Sequence, residues 1–555
     1  MAWQIPAVLS ALRRARNART PHAWPAVLRV ARDPQCLYSS AIDSTGQATL
    51  FGPREVLRGV FGYEDFRPGQ EKIITTVIGG RDCIGVMPTG AGKSLTFQIP
   101  ARMLPGTVLV VSPLISLMKD QVDALTRYGF RATVLNSSID FETRRDRLKR
   151  MRAGEYELVY VAPEGLEGSL RTMLAQMPIS LVVVDEAHCI SEWGHDFRPS
   201  YRRLCGLKQE LGGVPILALT ATATRRVAGD IIRQLGMVKP DGFKGSFFRS
   251  NLRLWAHKKG DKRGSREDLL GYVRRRAGES GIIYSLSRKN VDTLAAFLAA
   301  NGVRALPYHA GLDEETRARH QDEFARDEVD VVVATVAFGM GIDKSNVRYV
   351  IHREMPRSIE GYTQEVGRAG RDGCDSDCLL LYSWADVIAH ERLQSTIEDD
   401  TVRNAARAKT KAMFELADAP GCRHQRLVAT FDETIRPCGE SCDNCRNESL
   451  GDLLAAARVS GKTGGIRAAG ARMPAGPTTP LTTADTALFE RLRVLRRSLA
   501  DAEGVPAYIV FSDAVLARMA ATRPTDDAGL LAVPGVGPVK LARYGAAFLR
   551  ALGEE

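Results

Sequence analysis

From Pro53 to about Ser246 the chain alternates short, uninterrupted apolar runs with stretches of helical spacing. The runs are Thr107–Ser112, Leu158–Ala162, Leu181–Val184 and Ile216–Thr220. A strand with one wet face alternates apolar and polar residues, whereas continuous runs need cover on both faces. The pattern therefore predicts a parallel sheet between layers of helix. A second alternation follows from Phe247 to about Asp386, with strands predicted near Gly281–Ser285, Val329–Thr335 and Val347–His352. The fold class expected is α/β: two tandem parallel-sheet units, then smaller helical pieces.

Farther along, residues 459–480 are rich in Gly, Ala, Pro, Ser and Thr and read as a linker. Beyond it, Leu488, Leu492, Leu495 and Leu499 form one apolar helical stripe, which opens an all-helical module. The expected division is a basic, disordered extension over 1–52, α/β units over 53–246 and 247–390, and a metal-binding subdomain over 391–447. A flexible linker over 448–481 and a helical domain over 482–555 complete it.

The stretch with the most chemistry is Gly85-Val86-Met87-Pro88-Thr89-Gly90-Ala91-Gly92-Lys93-Ser94. It follows the end of a strand, Asp82-Cys83-Ile84, and precedes the first turns of a helix, Leu95–Pro100. In that setting successive backbone N–H groups and a helix N-terminus can cradle a phosphate. Thr89, Gly90 and Gly92 shape the loop, Lys93 would reach the β/γ-phosphates, and Ser94 would sit on Mg²⁺. The strict phosphate-loop pattern has glycine where this chain has Met87. Ser460-Gly461-Lys462-Thr463 also carries Gly-Lys-Thr, but lacks a strand before it and is read as linker. In the same first unit, Leu181–Val184 ends in Asp185-Glu186-Ala187-His188. Asp185 at a strand tip can hold Mg²⁺ through water, and Glu186 can orient and deprotonate an attacking water.

Composition adds three constraints to the 555 residues. A net charge of +11 suits a polyanionic partner, although solubility alone would also account for it. No apolar run is long enough for a membrane span. The ten cysteines comprise one cluster and six scattered residues, which fits a reducing compartment and one metal site. The cluster, Cys422, Cys438, Cys442 and Cys445, has the spacing C-x15-C-x3-C-x2-C and suits a structural Cys₄ zinc site, with a redox pair as the alternative. The first 32 residues hold six arginines and no acid, with Trp3 and Trp24; a presequence, a basic arm and a misassigned start all stay open.

Asp185-Glu186-Ala187-His188 together with the variant phosphate loop resembles the superfamily 2 helicases, and specifically the RecQ DNA helicases. The resemblance runs over most of Glu55–Cys445. Phe61-Gly62-Tyr63-Glu64-Asp65-Phe66-Arg67-Pro68-Gly69-Gln70 is similar to the family's adenine-recognition element. That likeness implies Tyr63 and Arg67 stacked on the base and Gln70 on its edge. Val111-Ser112-Pro113-Leu114 and Tyr160–Glu164 resemble loops that touch the nucleic-acid backbone. Ser191–Pro199 resembles the RecQ aromatic-rich loop, in which Trp193 and Phe197 offer stacking faces and Arg198 a cation for single-stranded DNA. Leu219–Thr224 resembles the motif that couples hydrolysis to strand binding. Tyr308–Leu312, Ala334–Asp343 and Gln364–Gly373 resemble motifs of the second motor domain. There the likeness implies Arg371 as an arginine finger supported by Arg368; in the first unit it implies His188 as a further catalytic residue.

RecQ proteins space the last three cysteines two and two, whereas Glu440-Ser441 widens the first gap to three. A winged-helix domain usual in the family has no room before the linker. Val505–Val510 and Leu531–Gly537 resemble an HRDC domain. Residues 482–555 carry nine Lys/Arg and nine Asp/Glu, so a weak accessory or protein-contacting role is expected. The resemblance implies ATP, Mg²⁺ and Zn²⁺ as cofactors. It implies 3′ to 5′ movement on single-stranded and tailed duplex DNA in repair and recombination, with single-strand-binding or other repair proteins as partners. It also implies a cytoplasmic, nucleoid-associated location and no membrane partner. An RNA helicase or remodelling translocase, and a scaffold with a relict ATPase, stay open.

Overall fold

The computed structural model describes residues 40–42, 48–50, 52–113, 115–136, 139–166, 168–194, 196–260, 265–335, 338, 344–460 and 483–553. The arginine-rich start, the 461–482 stretch with its Gly-Lys-Thr, Leu114, His195 and most of 336–343 lie outside these. Within 1–52 a small antiparallel hairpin pairs β1 (Ser40–Ile42) with β2 (Ala48–Leu50). The chain divides into two compact units: one runs from its start to Gly245 without residues 88–91, and the other comprises 88–91 and everything from Ser246.

The first unit holds a seven-stranded parallel sheet in the order β5-β6-β4-β7-β8-β3-β9. Its strands are β3 (Cys83–Val86), β4 (Thr107–Val111), β5 (Ala132–Leu135), β6 (Leu158–Val161), β7 (Ile179–Val184), β8 (Ile216–Thr220) and β9 (Asp241–Lys244). The central strands are buried end to end, as their continuous apolar runs require. The helices relevant to function are α1 (Gln70–Ile78), α2 (Leu95–Met103), α3 (Ile115–Arg127), α4 (Phe141–Arg152) and α5 (Arg225–Gln234). Two of them start at side-chain caps: Asp140 accepts from the Thr143 N–H, and Thr224 from the Val227 N–H.

The second unit holds a six-stranded sheet, β10-β15-β14-β11-β13-β12, again parallel throughout. The strands are β10 (Leu252–Lys258), β11 (Ser280–Tyr284), β12 (Ala305–Tyr308), β13 (Val331–Ala334), β14 (Val347–His352) and β15 (Ser376–Tyr382). Around it lie α6 (Arg266–Arg275), α7 (Arg288–Ala300), α8 (Glu314–Ala325) and α9 (Ile359–Val366). The chain continues through α10 (Trp384–Gln394), α11 (Asp400–Asp418) and α12 (Arg423–Ala429) into the cysteine cluster.

The expected linker over 448–481 begins differently. Leu450–Ser460 is a helix, α13, and Leu450 and Leu454 are buried in the core of the second sheet, with Leu453 packed against it. Their i, i+3, i+4 spacing makes an apolar stripe that the Gly- and Pro-rich residues after it do not share.

The C-terminal module consists of α14 (Thr483–Glu503), α15 (Asp513–Thr522), α16 (Pro538–Gly553) and two short turns of helix. Leu488, Leu492, Phe511, Leu516 and Phe548 fill its core. It is docked onto the second sheet through charged side chains, Arg493 half-buried and Arg348 and Asp513 buried. Arg493 donates to the Gly278 carbonyl at 3.0 Å, and Arg348, at the start of β14, lies 3.7 Å from Asp513 while also pairing with Asp372. Arg496 donates to Asp513 at 2.7 Å and to the Phe511 carbonyl at 2.9 Å. Burial opposes the charge on Asp513, but Arg496, Arg348 and Arg493 outweigh it and hold the carboxyl below its ordinary range.

Candidate nucleotide and nucleic-acid sites

In the first unit, β3 runs between β8 and β9 and delivers the phosphate loop at its C-terminal end. The Met87 N–H donates to the Thr220 carbonyl at 2.9 Å, so the ladder with β8 continues past the strand and no glycine is needed there. Gly90 and Gly92 have φ of 84° and 78°, left-handed values that favour glycine. A Cβ on Gly92 would also come 2.5 Å from Gln70 Nε2. Gln70 itself is buried and uses both ends of its amide: Nε2 donates to the Gly92 carbonyl at 2.9 Å, and Oε1 accepts from the Arg67 N–H at 2.8 Å. The expected base-reading amide is thus tied to the phosphate loop, with Tyr63 and Arg67 exposed beside it. Lys93 and Ser94 stand at the entry to α2.

Asp185 and Glu186 follow β7 directly. The Asp185 N–H donates to the Val111 carbonyl at 2.9 Å, its carbonyl accepts from Tyr201 Oη at 2.8 Å, and its carboxylate accepts from the Glu186 N–H at 3.0 Å. Burial and the neighbouring Glu186 push Asp185 up to about 6, while Lys93 and His188 pull the other way. Glu186 is a non-glycine residue at φ 46°, a strained conformation that turns the chain sharply at the strand tip. His188, 2% exposed, lies 3.3 Å from Glu186 Oε2 and 2.9 Å from Thr220 Oγ1. Thr220 Oγ1 in turn donates to the Thr222 carbonyl at 3.1 Å and accepts from the Thr222 N–H. Lys93, Asp185, Glu186, His188 and Thr220 therefore converge in one unit.

The aromatic-rich loop folds back on this group. A Cβ on Gly194 would meet the His188 carbonyl at 2.4 Å, and the Arg198 N–H donates to the Cys189 carbonyl at 2.9 Å. Arg198 is held by Asp196 at 3.1 Å and by the Pro113 carbonyl at 3.3 Å, tying the loop to the end of β4. The cation stacked on Trp193 is Arg226, 3.3 Å from the ring centroid, and Arg202 lies 5.2 Å from the Phe197 ring. Arg226 escapes a reading of the sequence because nothing in its spacing distinguishes it. Its position follows from the Thr224 cap of α5, which belongs to the Thr-rich stretch after β8.

In the second unit, Arg368 and Arg371 follow α9 on a tight loop. Gly370, at φ 55°, has Asn251 Nδ2 within 2.5 Å of where a Cβ would stand. The loop's carbonyls are clamped: Arg249 donates to Gly367 and Ala369, both at 3.0 Å, and to Gly370, and Asn251 donates to Gly370 at 3.0 Å and Cys374 at 2.9 Å. Beneath it, the buried His352 and Glu365 meet at 2.7 Å. Arg249 and Asn251 also carry no recognisable motif. Arg368 is buried and Arg371 partly exposed.

Cys422, Cys438, Cys442 and Cys445 bring their sulfurs within 4.8 Å of one another. Four sulfurs at such separations fit a tetrahedral zinc ion. Gly421 and Gly439, at φ 89° and 71°, turn the chain beside the first two ligands. The Cys438 N–H donates to Cys422 Sγ at 3.3 Å. A buried Arg423–Asp443 pair ties the two cysteine-bearing segments, and Asp443 and Ser441 accept from the Ala256 and Leu254 N–H groups of β10. The wider gap left by Glu440-Ser441 is thus absorbed without dispersing the thiols. No helix among the described residues is long and apolar enough to cross a membrane.

Two parallel-sheet units, one with a phosphate loop and a strand-tip Asp-Glu pair and the other with a clamped arginine loop, define a helicase core. Residues 67–231 match the DEAD/DEAH box helicase family and 264–373 the helicase conserved C-terminal domain. Residues 384–446 match the RecQ zinc-binding family, and 485–552 match the HRDC domain. The chain is 36% identical to the ATP-dependent DNA helicase RecQ of Haemophilus influenzae, over 90% of this chain and 95% of that protein. Its identity to the RecQ helicases of Pasteurella multocida and Bacillus subtilis is 37% and 36%, covering 89% and 90% of this chain and 93% and 98% of theirs. The chain belongs to the RecQ family. Against the Haemophilus protein, 592 aligned positions hold 90% of the 555 residues here, about 500, so about 90 positions are filled by the relative alone.

Proposed function

We propose that the protein is an ATP-dependent DNA helicase that couples Mg²⁺–ATP hydrolysis to 3′ to 5′ movement on single-stranded DNA and opens tailed duplexes in repair and recombination. The observation that carries this reading is the Asp185-Glu186 pair at the tip of β7, joined through His188 and Thr220 to the segment that bears Trp193 and to the helix whose Arg226 covers it. Lys93 and Ser94 bind the nucleotide's phosphates and its metal, Asp185 holds Mg²⁺, and Glu186 orients and deprotonates the attacking water. Tyr63, Arg67 and Gln70 recognise adenine. Binding of adenine would exchange one of the Gln70 hydrogen bonds, so base recognition and phosphate-loop shape change together. Arg371, supported by Arg368, stabilises charge on the transferred phosphoryl group. Trp193 and Phe197 stack on unpaired bases. The positions that the Haemophilus protein alone fills favour a motor without the family's usual winged helix. Single-strand-binding or other repair proteins are its expected partners, at the nucleoid.

The test is strand separation on 3′-tailed, 5′-tailed and blunt DNA duplexes with ATP and Mg²⁺, beside Lys93→Ala. Unwinding confined to the 3′-tailed substrate and lost in the variant is the expected result. DNA-stimulated hydrolysis without unwinding would instead make the protein a remodelling translocase, and stronger stimulation by RNA of matched sequence would make it an RNA motor.

A further inference from the structure

We infer that the exposed face of α4 is a second binding surface for single-stranded DNA, which extends the strand's path beyond the loops at the end of the first sheet. The inference rests on the reading above, that single-stranded DNA crosses this unit.

Charge is concentrated there. Phe141–Arg152 contains Arg144, Arg145, Arg147, Lys149, Arg150 and Arg152 against Glu142 and Asp146, four positive charges net. Residues 1–52, with six arginines and two aspartates, hold another four of the net +11, leaving three for the rest of the chain. Two of the helix's cations have structural partners: Arg147 donates to the Val134 carbonyl of β5, and Arg150 pairs with Glu155 and lies over the Tyr156 ring. Arg145, Lys149 and Arg152 are exposed and Arg144 half-buried, and none of these four side chains has an ion pair or hydrogen bond among the described residues. Lys149 and Arg152 lie in the last turn, where the helix dipole favours cations, but Arg144 and Arg145 gain nothing from it. Four like charges without counter-charges on one short helix repel one another, and a polyanion relieves that repulsion.

Topology aims this face at the strand's path. Every strand of the sheet is parallel, so the ends of β4, β6 and β7, which carry Pro113, Pro163-Glu164 and the Asp185 segment, share one edge. β5 is the outermost strand on that side, and five residues after it α4 begins at the same edge. From Arg144 the helix then runs back along the sheet, placing Arg152 about 12 Å farther on. The partner's form follows from Phe141. At 78% exposure it is the most exposed large apolar side chain among the described residues. An aromatic face next to cations suits an unpaired base on a phosphate backbone, and a duplex hides the base faces that Phe141 would stack on.

The experiment compares the full-length protein with Arg144→Gln/Arg145→Gln/Lys149→Gln and, separately, Phe141→Ala, on oligothymidylates of increasing length across a salt titration. For long oligomers the triple variant should lose at least tenfold in affinity, and its log K against log salt slope should be smaller by about 2, three phosphate contacts at roughly 0.7 each. Phe141→Ala should weaken long oligomers while leaving the slope in place. Both losses should vanish for oligomers too short to leave the strand-end loops. Matching melting curves exclude misfolding. An equal slope at every length overturns the proposal, as does a loss confined to blunt duplex or one independent of length. Trp193→Ala provides the separate control: if it does not weaken short oligomers, the strand path itself has been misread, whatever α4 does.

Discussion

His188 and Thr220 meet at 2.9 Å inside the first unit, and this contact joins the segment after β7, which carries Asp185 and Glu186, to the end of β8. His188 also approaches Glu186, and Thr220 closes on Thr222, two residues before the cap of the helix whose Arg226 covers Trp193. Thr220→Val keeps the shape and removes the hydroxyl. Removing a buried hydrogen-bonding group costs about 1–3 kcal/mol, much of it from partners left unpaired. The expected result is ATP affinity retained while stimulation of hydrolysis by single-stranded DNA falls about tenfold, a loss of 1.4 kcal/mol of coupling. Hydrolysis rates with and without DNA check it, and an unchanged ratio would show that coupling runs elsewhere.

Arg249 holds three carbonyls of the loop that presents Arg371. Arg249→Ala frees that loop without touching Arg371 itself. Since misplacing a catalytic group by about 1 Å can cost a hundredfold, kcat should fall by about 10–100-fold with the KM for ATP little changed. Arg249→Lys should not restore the rate, because one ammonium cannot reproduce the guanidinium's fork. A steady-state split of kcat from KM decides it.

Asp185 gives a pH prediction with a definite sign. Its carboxyl is raised from 3.8 to about 6, chiefly by burial, so the folded state binds this proton more tightly than the unfolded chain does. Stability from this group is fully present below the unfolded value and is lost as pH rises toward about 6. Asp185→Asn should therefore raise the melting temperature by a few degrees at pH 8 without nucleotide, make little difference near pH 3, and abolish hydrolysis. If Asp185 holds Mg²⁺ as proposed, metal and proton compete for it, so in the unaltered protein the rate should fall only at a pH below about 6, and at a lower pH the more Mg²⁺ is present. Melting curves at the two pH values test the sign directly.

Cys442 is fully buried, and its neighbours Ser441 and Asp443 pair with the edge strand β10. Loss of zinc should therefore loosen the second sheet as well as the cysteine cluster. For Cys442→Ser, or after strong chelation, zinc content should drop and the melting temperature should fall by on the order of 10 °C. Metal analysis alongside calorimetry would expose a merely local effect, in which zinc leaves and the transition stays where it was.

The candidate site was largely legible in the sequence because it lies where continuous apolar strands end, and such strands announce themselves. β7 stops at Asp185 and β8 at Thr220, so motif and fold mark the same points. The outer strands were hidden by composition. β9 reads Asp-Gly-Phe-Lys, and β10 mixes Arg253, His257 and Lys258 among its apolar residues, as strands at the rim of a sheet can. α13 was masked by the glycine-rich stretch that follows it. Arg226 and Arg249 were invisible for a different reason: a single arginine acquires its role from the ring or carbonyl that folding places opposite, and no spacing encodes that.

The buried charges around Asp513 change what the C-terminal module can be. Removing one partner of a buried pair typically costs about 3–5 kcal/mol, so the buried Arg348 and Asp513, 3.7 Å apart across the contact, make separation of the module from the second sheet expensive. The module and that sheet should consequently behave as one foldon, with amide hydrogens of α14 and β14 exchanging through a shared opening rather than independently. A protease cut within 461–482 would then leave two chain segments that still travel together, and Asp513→Ala would let them part. The module's reach is set by that latch and not by the residues that join it to the sheet.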